Sequence, residues 1–380
     1  MDDGDRIDGG RRAVLGGVAA VGAAGAAGCT GLFGGGGDGG EDGGSPDSDI
    51  GQIGSGREGR GAPGGTPMEE MPALEGELTL YSGRNEFLIG DLVNYIDDLY
   101  GDFSMEVRYG NSADLVNQIL SEGSGTPADV FYSVNAGSLG VLADEGRTQS
   151  LPEDLVGVVP EEFATEDWIG ISGRARTVPY NTEALSAEEM PSDIYAYEEF
   201  GADLGWAPSY GSCQAFVTAM RLLQGEERAR QWVESVVENG IASYPDEFAV
   251  CQAIADGEID AGFTNHYYIQ RVLDGSPGAP IDTAFTEGDA GAIFNVAGGA
   301  VLDAAADADL AANFVRHLLS AEAQDYFART TFEYPLHPEV QPIGDLPTID
   351  ELNPPSELDL TQLSNLEPTI DLMRQAGADV

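Results

Sequence analysis

Arg174-Ala175-Arg176-Thr177-Val178-Pro179-Tyr180 reads as a strand crossing from one lobe to another, with Asn181 opening the second lobe. Upstream of it, strands and helices alternate from Glu77 onward, the pattern of an α/β fold. Leu78-Thr79-Leu80-Tyr81 is a strand. Phe87 to Tyr100 has helical spacing through Leu88, Leu92, Ile96 and Leu99, and Met105 to Tyr109 alternates as a second strand. Asn111-Ser112 caps a helix through Leu120, and Ala128-Asp129-Val130-Phe131-Tyr132 leads into a helix over Ser138 to Glu145. Downstream lie helices over Gln214 to Leu223, Glu226 to Asn239 and Phe248 to Ala255, then a returning strand at Ala292 to Ala300. Helices over Ala305 to Leu319 and Ala321 to Thr330 follow with 3.6-residue spacing. A lobe inserted between an outgoing and a returning strand leaves a hinged cleft. Lobe 1 is expected from about 75–178 and 290–380, and lobe 2 from about 179–289.

Ligands of open α/β sheets sit beyond the carboxyl ends of strands, where helices begin. Ser82-Gly83-Arg84, Ser133-Val134-Asn135, Tyr210-Gly211-Ser212, Asp246-Glu247 and Asn265 to Tyr268 all fall at such places. Among them the adjacent Tyr267 and Tyr268 carry the most chemistry. A phenol ionises near pH 10 in water, so a phenolate at neutral pH needs a strong positive charge beside it. A small, highly charged, oxygen-seeking metal ion supplies one, because its binding expels the proton. The competing reading is a packing pair with a wet tip; the convergence of helix starts on one cleft favours the ligand role.

Residues 1–28 read as an export signal: Arg11-Arg12 before an apolar run from Ala13 to Gly28, shorter than the ~20 residues a membrane span takes. Ala26-Ala27-Gly28-Cys29 has the form of a lipoprotein processing site with Cys29 lipidated. Residues 29–74, rich in Gly, Asp, Glu, Ser and Pro, read as a flexible acidic linker that holds a globular domain, 75–380, at the outer face of the cell membrane. The chain carries 66 acidic and 17 basic residues, a formal charge of −49, and every basic residue is arginine. That balance excludes nucleic acid and anionic lipid as partners. It is the composition of an extreme halophile, tolerable where molar salt cuts screening to ~3 Å. Beyond the signal, Cys213 and Cys251 each precede Gln-Ala near a helix start. In an exported chain they are either a disulfide or two independent buried thiols.

The chain resembles the ferric-iron-binding solute-binding proteins of ABC importers, over nearly all of Leu78 to Ala378. The resemblance rests on eight pieces in order. These are Tyr81-Ser82-Gly83-Arg84, Arg108-Tyr109-Gly110-Asn111-Ser112, Pro127-Ala128-Asp129-Val130-Phe131 and Ser172-Gly173-Arg174-Ala175-Arg176. Gly205-Trp206-Ala207-Pro208, Asn265-His266-Tyr267-Tyr268, Asn295-Val296-Ala297-Gly298 and Glu333-Tyr334-Pro335-Leu336 complete them. It implies a two-lobe type II periplasmic-binding-protein fold, a carrier acting as a monomer, and Fe3+ held by Tyr267 and Tyr268. It also implies a synergistic anion such as carbonate or phosphate at Gly211, Ser212, Asn265 and Asn135, and delivery to a membrane permease driven by an ATPase. Two ligand positions of the family, a His and a Glu, are here Asn85 and Val134, and an anion-binding Asn is replaced by Glu247.

The remaining donors are oxygens, which suit a hard cation. Glu86 either reaches the metal or faces solvent; Glu247 is read as a metal ligand or as the negative partner in place of a dissolved anion. His266 reads as a structural histidine, and Arg84, Arg174 and Arg176 either offset phenolate charge, bind an anion or form ordinary salt bridges. A solute-binding protein for another small polar ligand, an organic anion or a thiamine-like cation, is the alternative within the binding class. No enzyme is expected: His266, His317 and His337 lack metal spacing, and no nucleophile elbow or phosphate-cradling loop occurs.

Overall fold

The computed structural model describes residue 53 and residues 63–380, all within the unit Pro46–Val380. Arg11, Arg12 and Cys29 lie outside the described residues. The first lobe begins with β1 (Gly76–Ser82), α1 (Glu86–Leu99), β2 (Phe103–Tyr109), α2 (Ser112–Glu122), β3 (Val130–Ser133), α3 (Ala136–Asp144) and the single turn α4 (Glu153–Val156). β4 (Ile169–Asn181) then runs into the second lobe, built from β5 (Leu204–Trp206), α5 (Gly211–Gln224), α6 (Glu226–Glu238), β6 (Ala242–Ser243) and α7 (Glu247–Ala255). It continues with β7 (Ala261–Gly262), β8 (Thr264–Asn265), α8 (His266–Gly275) and β9 (Ile281–Ala284). β10 (Phe294–Val301) returns, followed by α9 (Ala308–His317), α10 (Ala321–Tyr326), β11 (Tyr334–Pro335) and α11 (Glu367–Gln375).

The crossing strand is longer than its sequence signature. The first half of β4 pairs antiparallel with β10 and β11, its second half with β8, β7 and β9, so one strand belongs to both lobes. β1 pairs in parallel with β2 and β3, and β5 with β6 and β7, which leaves each lobe a parallel half-sheet covered by helices. This is the two-lobe α/β type II architecture. The first core gathers Leu80, Ile89, Ile96, Val130, Phe131, Ile171 and Val296; the second centres on Trp206, Phe216, Trp232 and Phe263. In the latter Phe216 and Trp232 meet edge-on at 5.5 Å, a favoured aromatic arrangement.

Two sequence expectations are corrected, and an open alternative is decided. The linker expected to reach residue 74 ends earlier: Met68 and Leu74 are buried, Thr66 O accepts from Ala321 N at 2.9 Å, and Met68 N donates to Glu322 Oε2 at 2.8 Å. Two apolar side chains and a capped backbone suffice to dock a stretch whose average composition is polar. The span 290–380 does not stay with the first lobe either. α11 buries Leu372, Met373 and Ala376 in the second core, and Thr369 Oγ1 lies 2.7 Å from Thr218 Oγ1 on α5. Finally, Cys213 and Cys251 are both free and buried. Cys251 Sγ faces Thr264 Oγ1 at 3.5 Å, and burial pushes both thiols well up, Cys213 to about 12.

Before α11 the chain makes a 3₁₀ turn at Leu360–Ser364 that lies across α3. Contact is possible because α3 has glycines there: a Cβ on Gly137 would stand 2.5 Å from Ser364 Cβ and 2.9 Å from Thr361 O. Gly137→Ala is therefore expected to displace this strap and cost about 1–3 kcal/mol, as overpacking does, read as a lowered midpoint of chemical denaturation at fixed salt. Among the described residues no helix is long and apolar enough to cross a membrane.

Candidate metal centre

β8 ends at Asn265, which holds extended backbone (φ −80°, ψ 147°) as the N-cap of α8. The first turn of α8 therefore projects Tyr267 and Tyr268 at the strand-to-helix junction the sequence indicated. Their rings lie 4.3 Å apart, inclined at 42°. His266 anchors this turn to the crossing strand: it is fully buried, and Ala175 N donates to its Nδ1 at 3.2 Å. Burial pushes its pKa down to about 4, so it stays neutral, as a structural histidine should.

A third phenol joins the pair. Tyr210, the N-cap of α5, places its oxygen 2.7 Å from that of Tyr268. Sequence reasoning put Tyr210 at a helix start on the cleft but did not read it as a ligand. Both Tyr267 and Tyr268 are raised above the ordinary phenol value, burial being the largest cause in each. Arg174 opposes the rise at Tyr267, whereas Glu247 adds to it at both, and Tyr267 and Tyr210 raise Tyr268 further. Without a cation these phenols keep their protons at neutral pH; a metal ion would have to displace them. The Arg271 guanidinium stands 5.0 Å from the Tyr267 ring and 5.4 Å from the Tyr268 ring, within cation–π range.

Tyr267 and Tyr210 line a cavity of about 600 Å³ between the lobes. The facing wall comes from the starts of α2 and α3: Asn111, Ser112, Val134, Asn135 and Ser138. No carboxylate lines it, and Arg174, which also donates to Val134 O, is its single formal charge. Among the described residues no group of three His, Cys, Asp or Glu side chains is arranged to hold a metal. The phenols are thus the anionic donors this cleft offers, and oxygen-only donation suits a hard, highly charged ion.

The other expected site residues divide. Asn135, Gly211, Ser212 and Asn265 do come together around the cavity. Asn135 spends its carbonyl as the cap of α3, accepting from Ser138 N at 2.9 Å. Glu86 is not brought to the phenols: it is exposed on the first turn of α1, where its charge adds to the rise that burial causes at Tyr109. Asn85 beside it caps α1, accepting from Leu88 N at 3.1 Å. Glu247 is close but committed elsewhere. It is fully buried, pairs with Arg176, and accepts from Ser212 Oγ at 2.6 Å and from Asn265 N at 2.9 Å. Of the three arginines, Arg84 pairs with Glu333 and Arg176 with Glu247, leaving Arg174 to the cleft.

A two-lobe α/β body with its ligand cleft at the hinge is that of an extracellular solute-binding protein, and the chain belongs to the bacterial extracellular solute-binding protein family, whose model matches residues 100–333. Within it the chain is 30% identical over 315 residues to the major ferric iron-binding protein of Neisseria meningitidis, covering 80% of this chain and 94% of that one. It is 28% identical over 349 residues to iron uptake protein A1 of Synechocystis, covering 82% of this chain and 90% of that one. The structure of iron-bound HitA from Pseudomonas aeruginosa superposes with a TM-score of 0.69 at 27% identity, covering 79% of this chain and 99% of that one.

Proposed function

We propose that this chain captures ferric iron outside the cell and hands it to an ABC permease, with Tyr267, Tyr268 and Tyr210 as the phenolate ligands. The observation that carries this reading is Tyr267 and Tyr210 on one wall of the interlobe cavity, with Tyr268 stacked beside the first and hydrogen-bonded to the second, in a chain whose relatives are iron-binding proteins. A trivalent ion entering the open cleft displaces three phenol protons, and three phenolates balance its charge. Arg174 lowers the cost of ionising Tyr267. Water or a small oxygen anion fills the positions the facing wall leaves open, and the lobes close by bending at β4. Closure presents a changed surface to the permease while a cytoplasmic ATPase supplies the energy. Export through the signal at 1–28, a lipid on Cys29, and an acid-rich surface suited to molar salt complete the picture of a monomeric tethered carrier.

The test is optical. Ferric ion added to the protein in high salt is expected to produce a visible tyrosinate-to-iron charge-transfer band saturating at one equivalent. A colourless protein, or one that takes up an organic anion or a thiamine-like cation in preference to iron, would overturn the reading.

A further inference from the structure

Behind the phenols, three helix starts close on one carboxylate. Glu247 is the first residue of α7; Ser212 belongs to the first turn of α5, whose cap is Tyr210; Asn265 caps α8, which carries Tyr267 and Tyr268. Helix starts leave backbone donors unpaired and attract negative charge. Here the attraction is satisfied from within: Glu247 Oε1 accepts from Ser212 Oγ at 2.6 Å and Oε2 from Asn265 N at 2.9 Å, with Arg176 as counter-ion. Neither partner of the ion pair is reached by solvent, Glu247 being 0% and Arg176 1% exposed. Arg176 is held in turn by Phe263 O at 2.6 Å and lies 4.7 Å over the Phe216 ring.

We propose that Glu247 is the built-in anion of this cleft, occupying the donors a dissolved anion would claim, so that the site loads ferric ion without carbonate or phosphate. The proposal rests on the ferric reading of the same site. Its geometry leaves little choice. An outside anion reaching Ser212 Oγ and Asn265 N would have to expel Glu247, stranding a buried guanidinium without its counter-charge. A carboxylate held at the start of the helix that carries the tyrosines favours a trivalent cation beside it. Because it bonds the starts of both α5 and α8, Glu247 further sets the distance between Tyr210 and Tyr268. It is a positioning residue, and does not itself touch the metal.

The experiment uses the folded chain in molar chloride freed of carbonate and phosphate, with ferric nitrilotriacetate as the iron source in every arm. For the wild type, affinity and band maximum are expected to change by less than about threefold in affinity, and not at all in colour, when phosphate or bicarbonate is raised to millimolar levels. Native mass spectrometry should show a gain of iron alone. Glu247→Gln, which keeps the shape and removes the charge, is expected to load weakly in anion-free buffer and to recover at least about tenfold on adding phosphate or bicarbonate, with a shifted band. Should the unpaired Arg176 unfold that variant, Glu247→Gln with Arg176→Gln removes both charges together and is read in the same way, folding being checked by circular dichroism. A wild-type band that depends on phosphate or bicarbonate, or a mass carrying that anion, overturns this inference and leaves the ferric reading standing. Folded variants indifferent to every anion overturn it too. A wild type that shows no band at all sinks the ferric reading, and this inference with it.

Discussion

Tyr267→Phe combined with Tyr268→Phe is expected to leave the fold intact and to abolish tight ferric binding. Phenylalanine keeps both rings, so the 4.3 Å contact between them and the burial of Tyr268 survive. What is lost on folding is the hydrogen bonding of the two hydroxyls, to Tyr210, Asn265 and each other, about 1 kcal/mol per bond by the usual measure. The loss of affinity should be far larger. Removing one outer partner of a metal ligand already costs about 10–100-fold, so deleting two ligands should cost about 10⁴-fold or more. The charge-transfer band should vanish with it. Proton release gives an independent count: Tyr267 and Tyr268 are protonated in the metal-free protein near neutrality, since burial raises both above the ordinary phenol value. The logarithm of affinity should then rise with pH more steeply in the wild type than in the double variant, by about two units per pH unit, one for each phenol removed. Wild-type affinity in the double variant, or a slope that ignores the substitutions, would remove the phenols from the site.

The two-lobe α/β fold was legible because the alternation of strand and helix periods is local, and because Arg174 to Tyr180 is a strand followed by a change of lobe. The tyrosine pair was legible for the same reason: adjacency in sequence is adjacency in space at a helix start. Tyr210 was not, since it lies 58 positions from Tyr268 and meets it only once α5 and α8 pack together. Glu247 shows the limit most clearly. An acid in the first turn of a helix reads the same whether it faces water or the interior; here its burial is decided by Arg176, 71 positions upstream on the crossing strand. Glu86 misled in the opposite sense, through nearness in sequence to a position that carries a ligand in the resembling family. Cys213 and Cys251 share a local context, yet a common context does not aim two thiols at each other; one faces Thr264 and the other lies beside Arg176.

Breaking the Arg84–Glu333 pair should be the most damaging single change to stability. The guanidinium grips the carboxylate through two bonds, Nη1 to Oε1 at 2.6 Å and Nη2 to Oε2 at 2.7 Å, with Ser172 Oγ at 3.1 Å and Thr331 Oγ1 at 3.0 Å donating as well. Residues from β4, from the loop after β1 and from the start of β11 thus meet at one carboxylate behind the cleft. Both partners are buried, Arg84 at 2% and Glu333 at 5% exposure, so Glu333→Gln leaves a guanidinium without its counter-charge where water cannot reach it. Stranding a buried charge in this way costs about 3–5 kcal/mol, to be measured as the change in unfolding free energy at fixed molar salt. Acid should act on the same bond. Burial by itself would raise the Glu333 carboxyl, but Arg84 and the hydrogen bonds outweigh it and bring the pKa from 4.5 down to about 2. A depressed carboxylate stabilises the fold fully above its unfolded pKa, and that contribution is lost as pH falls through the folded one. The wild type should therefore lose stability between about pH 4.5 and pH 2, and the part of that loss due to this carboxylate should be missing from Glu333→Gln. If the variant matches the wild type in stability at neutral pH and in its acid profile, the pair is not the brace between β1, β4 and β11 that its geometry indicates.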